Sequence, residues 1–121
     1  VPNGIPGIGA LIPLIFNLNV YKLSLKIPDA VKRLSTHPAK VAGIYPRKGS
    51  LSDGADADIV IFRTDGTERK IGSTLQKVHD PFCRITTTME IQYVFLRGRL
   101  VAQKGQLVNP SQPEGRWVWN Q

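Results

Sequence analysis

Residues 1–16, VPNGIPGIGALIPLIF, join a loop rich in glycine and proline to an apolar helix. The first nine residues contain two prolines and three glycines, a density that excludes regular structure there. Such a loop is typical of a backbone that approaches another group closely. The helix after it needs a large apolar surface to lie on. We therefore expect these 121 residues to be the C-terminal piece of a larger protein.

Composition favours an ordinary globular protein. Hydrophobic residues make up 41% of the chain, and no stretch approaches the roughly 20 apolar residues of a membrane span. No signal peptide is recognisable. The single cysteine, Cys83, excludes an internal disulfide and is typical of a reducing compartment. We expect a cytoplasmic protein that makes no membrane contact.

The formal net charge of +7 raises the question of a nucleic-acid partner. The distribution of the charge argues against one, because lysines and arginines occur singly or in pairs along the chain. No run of five basic residues is present, and no RNA-binding aromatic signature is recognisable. We expect no nucleic-acid partner, and we interpret the charge as a solvated surface or as one part of a longer, more balanced protein.

The first half of the chain predicts helices. Residues 10–20 predict an apolar helix or helical turn with Pro13 in its first turn. Pro28 suits the start of a second helix, and Pro38 the first position of a third. Gly43 can end that third helix in a left-handed backbone conformation.

The second half predicts strands. Residues 57–62, ADIVIF, predict a strand buried on both faces. Residues 68–88 show weak periodicity, which indicates a long surface excursion. Residues 91–108 predict successive strands whose turns lie at Arg97-Gly98 and at Lys104-Gly105. The expected order is therefore a loop, then helices, then a β meander.

Few residues have the pattern of a catalytic or metal site. His37 and His79 are the only histidines, and neither belongs to a metal-binding motif, so capping or packing is the expected role. Cys83 has no base placed beside it by the sequence, and we expect a buried or half-buried free thiol. No phosphate-binding glycine loop and no nucleophile elbow is present.

The acidic run DGADAD, residues 53–58, resembles part of a calcium loop. A calcium loop needs further oxygen ligands and a glutamate at a set distance, whereas an apolar strand follows here. We expect Asp53, Asp56 and Asp58 to bond backbone amides in a turn before that strand.

The opening loop is the remaining candidate. Backbone groups of Asn3 and Gly4 could bond a flat amide ligand without using a side chain. The alternative is a loop that leads into the helix and binds no ligand. The residues alone leave both interpretations open.

Several segments together resemble the C-terminal part of cyclic amidohydrolases, with dihydropyrimidinase and hydantoinase as the most similar members and allantoinase and dihydroorotase as more distant ones. These segments are VPNGIPG at 1–7, LSTHPAKVAGIYPRKGSLSDGADADIVIF at 34–62 and VFLRGRLVAQKGQLV at 94–108. Each is weak by itself, and their combination is specific.

The resemblance implies a mixed α/β fold: the last helices of a metal-dependent (β/α)8 barrel, followed by strands of a small composite β-sandwich. Residues 1–46 would end the barrel, 47–108 would supply sandwich strands, and 109–121 would form an extended tail. The parent protein would open a cyclic amide with a hydroxide held by two zinc ions. The metal ligands of the family precede these residues, so this chain alone should hold no metal and be inactive.

The resemblance also implies a substrate site and partners. Asn3, with Gly4 beside it, matches the residue whose backbone groups bind the ring amide of the substrate. The remainder of the amidohydrolase chain is the first expected partner. The segment PEGRWV, residues 113–118, is similar to a tail that contributes to oligomers in the family. We therefore expect a homo-oligomer, a tetramer or a dimer.

Two alternatives remain. One is a small, basic, stand-alone interaction module, which predicts a well-folded monomer with a polar outer face. The other is a non-catalytic protein similar to dihydropyrimidinase. The fragment hypothesis, in contrast with the module, predicts exposed apolar surface on residues 10–20 and unpaired strand edges.

Overall fold

The computed structural model describes residues 7–71, 81–109 and 115–118. Helices come first along the chain and strands follow. The helices are α1 (Ile8–Asn17), which continues into a π-helical turn (Leu18–Lys22), α2 (Ile27–Leu34) and α3 (Thr36–Val41). The strands are β1 (Ile59–Lys70), β2 (Thr86–Leu96), β3 (Arg99–Gln103) and β4 (Gln106–Leu107).

The four strands form one sheet in the order β1-β2-β3-β4. The β2–β3 and β3–β4 pairs are antiparallel. The predicted mixed class is thus confirmed, as is the order of helices followed by a meander. The assignment of residues 1–46 to a barrel, 47–108 to a sandwich and 109–121 to a tail stays a prediction.

Both predicted hairpin turns are confirmed. Leu96 pairs with Arg99 and Gln103 pairs with Gln106, so each turn has two residues. Arg97-Gly98 and Lys104-Gly105 have φ of 48° and 78° and of 47° and 79°. Two successive positive φ values define the turn whose twist matches that of the flanking antiparallel strands.

Helix α1 starts earlier than the sequence predicts. It begins at Ile8, and Pro13 therefore lies inside it rather than in its first turn. Proline has no N–H to donate to the carbonyl four residues back, so the position loses one helical hydrogen bond. The helix nevertheless continues through Pro13 to Asn17, with Ala10 buried before the proline and Phe16 buried after it.

The shorter helices follow the sequence more closely. Pro28 is the second residue of α2, and Ala30 in that helix is fully buried. Pro38 is the third residue of α3 rather than the first. Gly43 has φ of 70°, which confirms the predicted left-handed end.

Strand β1 differs from the prediction in length and burial. It begins at Ile59 and extends to Lys70, and Val60 and Ile61 are 42% and 46% exposed. The prediction of a strand buried on both faces is therefore wrong. A run of apolar residues shows that a strand can be buried, but the residues that cover it are decided by the fold.

The predicted surface excursion over residues 68–88 is wrong at its two ends, whereas residues 81–85 form a turn that is mostly exposed, as predicted. Residues 68–70 complete β1 and residues 86–88 begin β2. Ile71 and Thr87 are buried. Residues 72–80 of that prediction lie outside the described residues.

The chain divides into two compact units, and β1 and β2 each contribute residues to both. The first comprises Val1–Ala30 and Thr64–Met89, and the second Val31–Arg63 and Glu90–Gln121. Most of the residues that are buried, among those the structure describes, belong to the first unit: Ala10, Phe16, Asn19, Ala30, Ile71, Thr87 and Met89. In the second unit, Ala39 is the one buried residue among those described.

Apolar side chains on the first helix are exposed, as the fragment hypothesis predicts. Ile8 is 95% exposed, and Leu11 and Leu18 are also exposed. Trp117, in the segment that is similar to the tail of the family, is 77% exposed. Within the described ranges, no helix is long and apolar enough to cross a membrane.

Candidate functional site

The predicted substrate contacts, Asn3 and Gly4, lie outside the described residues. Gly7, the last residue of the VPNGIPG segment, lies directly before α1. The carbonyl oxygen of Gly7 accepts hydrogen bonds from the amides of Ala10 and Leu11, at 3.1 and 3.0 Å. These are the first backbone bonds of α1, and Gly7 is its N-terminal cap residue.

An aromatic ring lies beside the start of α1. A Cβ atom placed on Gly7 would be 3.7 Å from Cε2 of Phe82, an ordinary van der Waals distance. Phe82 is half-buried, and its carbonyl oxygen accepts a hydrogen bond from the Ile85 amide at 2.9 Å. The turn at 82–85 thus places the ring of Phe82 close to Gly7.

The other end of α1 is bonded to β2 through one side-chain amide. Asn17 Nδ2 donates to the carbonyl oxygen of Thr86 at 2.6 Å. Thr87 Oγ1 donates to Asn17 Oδ1 at 2.9 Å. Both polar atoms of the amide are therefore paired with neighbouring residues of the strand.

The π-helical turn after α1 continues this polar contact. Tyr21 in that turn shares a hydrogen bond with the hydroxyl of Thr88. Asn19 is 3% exposed, and its Nδ2 donates to the carbonyl oxygen of Ile15 at 2.6 Å. Its Oδ1 has no protein partner among the described residues. Sequence reasoning missed this cluster, although alternating polar residues after α1 and three threonines in succession were visible.

The acidic run is part of an ion-pair cluster in the second unit. Lys48 pairs with Asp56 at 2.8 Å and with Asp58, and Arg47 pairs with Asp56 at 3.2 Å. Asp58 Oδ1 also accepts the Arg97 amide at 2.8 Å, so the expected bond to a backbone amide is confirmed for Asp58. The amide lies in the β2–β3 turn, however, and not in the local turn that the sequence predicts.

Hydrogen bonds between Lys48 and the two carboxylates shift the pKa values of all three groups. The hydrogen bond from Lys48 lowers the pKa of Asp56. Desolvation raises the pKa of Asp58, but the bonds from Lys48 and from the Arg97 amide lower it by more. For Lys48 the signs are reversed: desolvation lowers its pKa, and the bonds to both carboxylates raise that pKa by more, so the pKa lies above the ordinary value. The cluster is therefore charged near neutral pH and ties the acidic run to the hairpin.

The remaining candidate residues are separate from one another. His37 is exposed in α3, and His79 lies outside the described residues. Cys83 is exposed, so the expectation of a buried or half-buried thiol is wrong. Among residues 7–71, 81–109 and 115–118, no three histidine, cysteine or carboxylate side chains lie together as a metal site.

Comparison with known proteins places these features in a family. The sequence model of the Amidohydrolase family matches residues 8–101. The L-hydantoinase of Paenarthrobacter aurescens is 32% identical over 108 residues, which cover 88% of this chain and 24% of the relative. The D-hydantoinase of Geobacillus stearothermophilus is 36% identical over 112 residues, covering 89% and 23%.

A solved structure is similar over the same share of this chain. The D-hydantoinase (dihydropyrimidinase) from Thermus sp. is 32% identical, with a TM-score of 0.77 over 89% of this chain and 24% of that protein. The chain thus spans about a quarter of the length of the relatives it matches. Because the family match runs from the first described helix into β3, the chain belongs to the amidohydrolase family.

Proposed function

We propose that this chain is the C-terminal quarter of a hydrolase that opens cyclic amides of the hydantoin or dihydropyrimidine class. One observation carries the proposal: residues 8–101 match the Amidohydrolase family. The names of the relatives, hydantoinase and dihydropyrimidinase, support ring amides as the substrate class. In this proposal the chain contributes one substrate-contact loop and the sheet that supports it.

The proposed substrate contact uses backbone groups. A ring amide presents one N–H donor and one C=O acceptor, which an exposed loop backbone can pair without a charged side chain. Asn3 and Gly4 are the proposed positions, on the basis of the family resemblance of the VPNGIPG segment.

The described residues do not fit a metal centre. They bring no three suitable ligands together, and Asp56 and Asp58 are occupied by Lys48. In the proposal, the remainder of the amidohydrolase chain would hold the two zinc ions, which would polarise the ring carbonyl and activate water there.

We also propose that the parent protein is a homo-oligomer, a tetramer or a dimer. The large exposed ring of Trp117 supports this, since aromatic side chains of this size are enriched at protein interfaces. Light scattering of the full-length protein tests it, and a monomer at micromolar concentration would contradict it.

The test of the activity is hydrolysis of hydantoin and dihydrouracil by the full-length protein, with Asn3→Ala and Asn3→Pro as a matched pair. Alanine keeps the backbone N–H, so turnover should stay near that of the wild type. Proline removes the N–H, and kcat/KM should fall about 10- to 100-fold, as expected for one unpaired hydrogen-bonding group.

Two further results complete the test. The 121-residue chain with added zinc should show no turnover, because the proposed ligands are absent from it. A full-length wild-type protein that opens neither ring would contradict the proposal and favour the non-catalytic alternative. Equal loss of activity in both Asn3 variants would contradict the backbone contact at Asn3 but not the proposed hydrolase activity.

A further inference from the structure

The chain contains two Asp-Gly dipeptides, Asp53-Gly54 and Asp65-Gly66. An aspartate isomerises most readily before glycine, because glycine has no Cβ to hinder its own amide nitrogen. All four residues are exposed, and a Cβ placed on either glycine would meet nothing within 4 Å. Both glycines also have a left-handed backbone, with φ of 85° and 76°. Sequence, exposure and glycine conformation therefore do not distinguish the two sites.

The isomerisation requires the aspartate, the amide that follows it and water. The amide nitrogen attacks Cγ of the aspartate and a C–N bond forms, while the carboxyl OH group and the amide hydrogen leave as water. A second water molecule then opens the cyclic imide at either carbonyl carbon, which gives aspartate or isoaspartate with no net change in atoms. The reactive form is therefore a neutral carboxyl group that is free to rotate toward the nitrogen.

The Asp65 carboxylate, within β1, is held on both oxygens. Arg69 donates from Nη1 to Oδ1 at 2.9 Å and from Nη2 to Oδ2 at 2.8 Å, and the Thr67 amide donates to Oδ1 at 3.0 Å. This bidentate contact fixes the orientation of the carboxylate. The hydrogen bonds from Arg69 and then from Thr67 also hold the pKa of Asp65 well below its usual range. The neutral form that can lose water is therefore scarce at Asp65.

The Asp53 carboxylate has no comparable contact. Across the part of the chain that the structure describes, no residue bonds or pairs with it. Asp53 lies in an exposed turn between α3 and β1, which the Ala55 amide closes by donating to the Ser52 carbonyl at 3.1 Å. The side chain can therefore rotate toward the next amide, and few backbone bonds resist the local movement that ring closure needs.

We infer that Asp53 is a site of spontaneous isomerisation to isoaspartate in the folded protein, and that the contacts of Arg69 protect Asp65 from the same reaction. The reaction needs no enzyme, so it does not depend on the proposed hydrolase activity.

Isomerisation at Asp53 has a structural consequence in the second unit. The Asp56 amide donates to the Arg47 carbonyl at 2.9 Å, and Asp56 also pairs with Lys48. Asp53 lies in the segment that joins these partners. Isoaspartate adds one carbon atom to the main chain of that segment, so the closing bond and the ion pair should both weaken.

The test is incubation of the full-length protein for weeks at neutral pH and physiological temperature, followed by tryptic digestion. Cleavage after Lys48, Arg63 and Arg69 places the two sites on separate peptides, residues 49–63 and 64–69. Mass spectrometry with electron-transfer dissociation then distinguishes isoaspartate from aspartate at each position of each peptide.

In the folded protein we expect isoaspartate to form at Asp53 about tenfold faster than at Asp65, or more, because each unit by which a pKa falls reduces the neutral fraction of the carboxyl group tenfold. Incubation in guanidinium chloride keeps the sequence and removes the fold, so the two rates should become similar. Equal rates in the folded protein, or no isoaspartate at Asp53, would overturn the inference. So would the same rate ratio with and without denaturant.

Arg69→Gln is the matched variant. It removes the bidentate contact, so isoaspartate should form faster at Asp65 while Asp53 keeps its wild-type rate as an internal reference. If Arg69→Gln yields no folded protein, Arg69→Lys replaces it, since lysine keeps the charge but cannot bond both oxygens in the planar geometry of arginine. An unchanged rate at Asp65 in the folded variant would overturn the protective role of Arg69.

Hydrogen exchange of the incubated protein tests the structural consequence. The Asp56 amide should exchange faster in the isomerised fraction than in fresh protein. The Ala10 amide, bonded to the Gly7 carbonyl in the first unit, should be unchanged. Unchanged exchange at Asp56 would overturn the weakening of the ion-pair cluster.

Discussion

Gly49 provides a quantitative test of the packing in the second unit. Its φ is +77°, and a Cβ atom there would lie 2.6 Å from Cβ of Ala39 and 2.9 Å from the carbonyl oxygen of Ser35. The Gly49 carbonyl oxygen also accepts the Thr36 hydroxyl at 2.8 Å. The glycine thus lets the chain after α3 lie directly on that helix. The perturbation is Gly49→Ala.

The expected cost has a conformational and a steric part. Left-handed backbone costs a non-glycine residue about 1–2 kcal/mol, and the smaller entropy of the unfolded alanine chain offsets about 0.4–1 kcal/mol. The overlap adds about 1–3 kcal/mol, because backbone and Cβ atoms have no rotamer by which to move away. We expect Gly49→Ala to lower the free energy of unfolding by about 2–4 kcal/mol.

Gly54→Ala is the matched control. Gly54 has φ of +85°, and a Cβ there would meet nothing within 4 Å. It carries the conformational cost without the steric one, so we expect about 1 kcal/mol or less. The difference between the two variants isolates the overlap with α3.

The assay is urea unfolding of the full-length protein, together with hydrogen exchange at Ile44, whose amide donates to the Ala39 carbonyl at 3.0 Å. Exchange at Ile44 should accelerate in Gly49→Ala and stay near wild type in Gly54→Ala. Adding Ala39→Gly to Gly49→Ala should recover part of the loss, since it removes the nearest overlapping atom. Equal destabilisation by Gly49→Ala and Gly54→Ala would refute the steric reasoning.

Three further predictions concern a turn, the acidic run and the core. Lys104 has φ of 47°, so Lys104→Gly should raise the free energy of unfolding by up to about 1 kcal/mol and Lys104→Val should lower it, as measured by urea unfolding. The pKa of Asp58 is lowered on folding, so its stabilisation is present above about pH 4 and lost as the pH falls. Acid titration of unfolding should show a smaller loss of stability in Asp58→Asn than in the wild type. Phe16 is fully buried, and Phe16→Ala should cost about 3–5 kcal/mol in a thermal or urea melt, whereas the exposed Leu11→Ala should cost under about 1 kcal/mol.

Each of these predictions has a contradicting result. Equal stability of Lys104→Gly and Lys104→Val would show that the backbone at that turn is not strained. An acid titration of Asp58→Asn that overlays the wild type would mean that Lys48 and the hairpin amide do not stabilise the folded carboxylate. Similar losses for Phe16→Ala and Leu11→Ala would contradict the placement of the core on one side of α1.

Local features could be predicted well from the sequence. The two hairpin turns depend on Gly98 and Gly105, which adopt positive φ at no steric cost, and the residues that determine them are adjacent in the chain. The left-handed end of α3 at Gly43 has the same origin. The family resemblance came from combined local segments, and the match over residues 8–101 confirmed it.

Features that join distant segments were not predictable. Asn17 and Thr87 are 70 positions apart, and neither has a sequence neighbour that would indicate the contact. Val60 and Ile61 point to opposite faces of β1, and their exposure depended on how much of each face the rest of the fold covers. Lys48 has another cation, Arg47, as its sequence neighbour, and only the fold brings Asp56 and Asp58 to it.

The sequence by itself determined the turns, the order of helices and strands, and membership in the amidohydrolase family, because these depend on backbone preferences and on patterns within short segments. The tertiary structure alone decided which strand bonds the end of α1, how little of β1 is covered on either face, and which charges pair. Those depend on contacts across the chain, where many partners have similar chemistry and only packing selects among them.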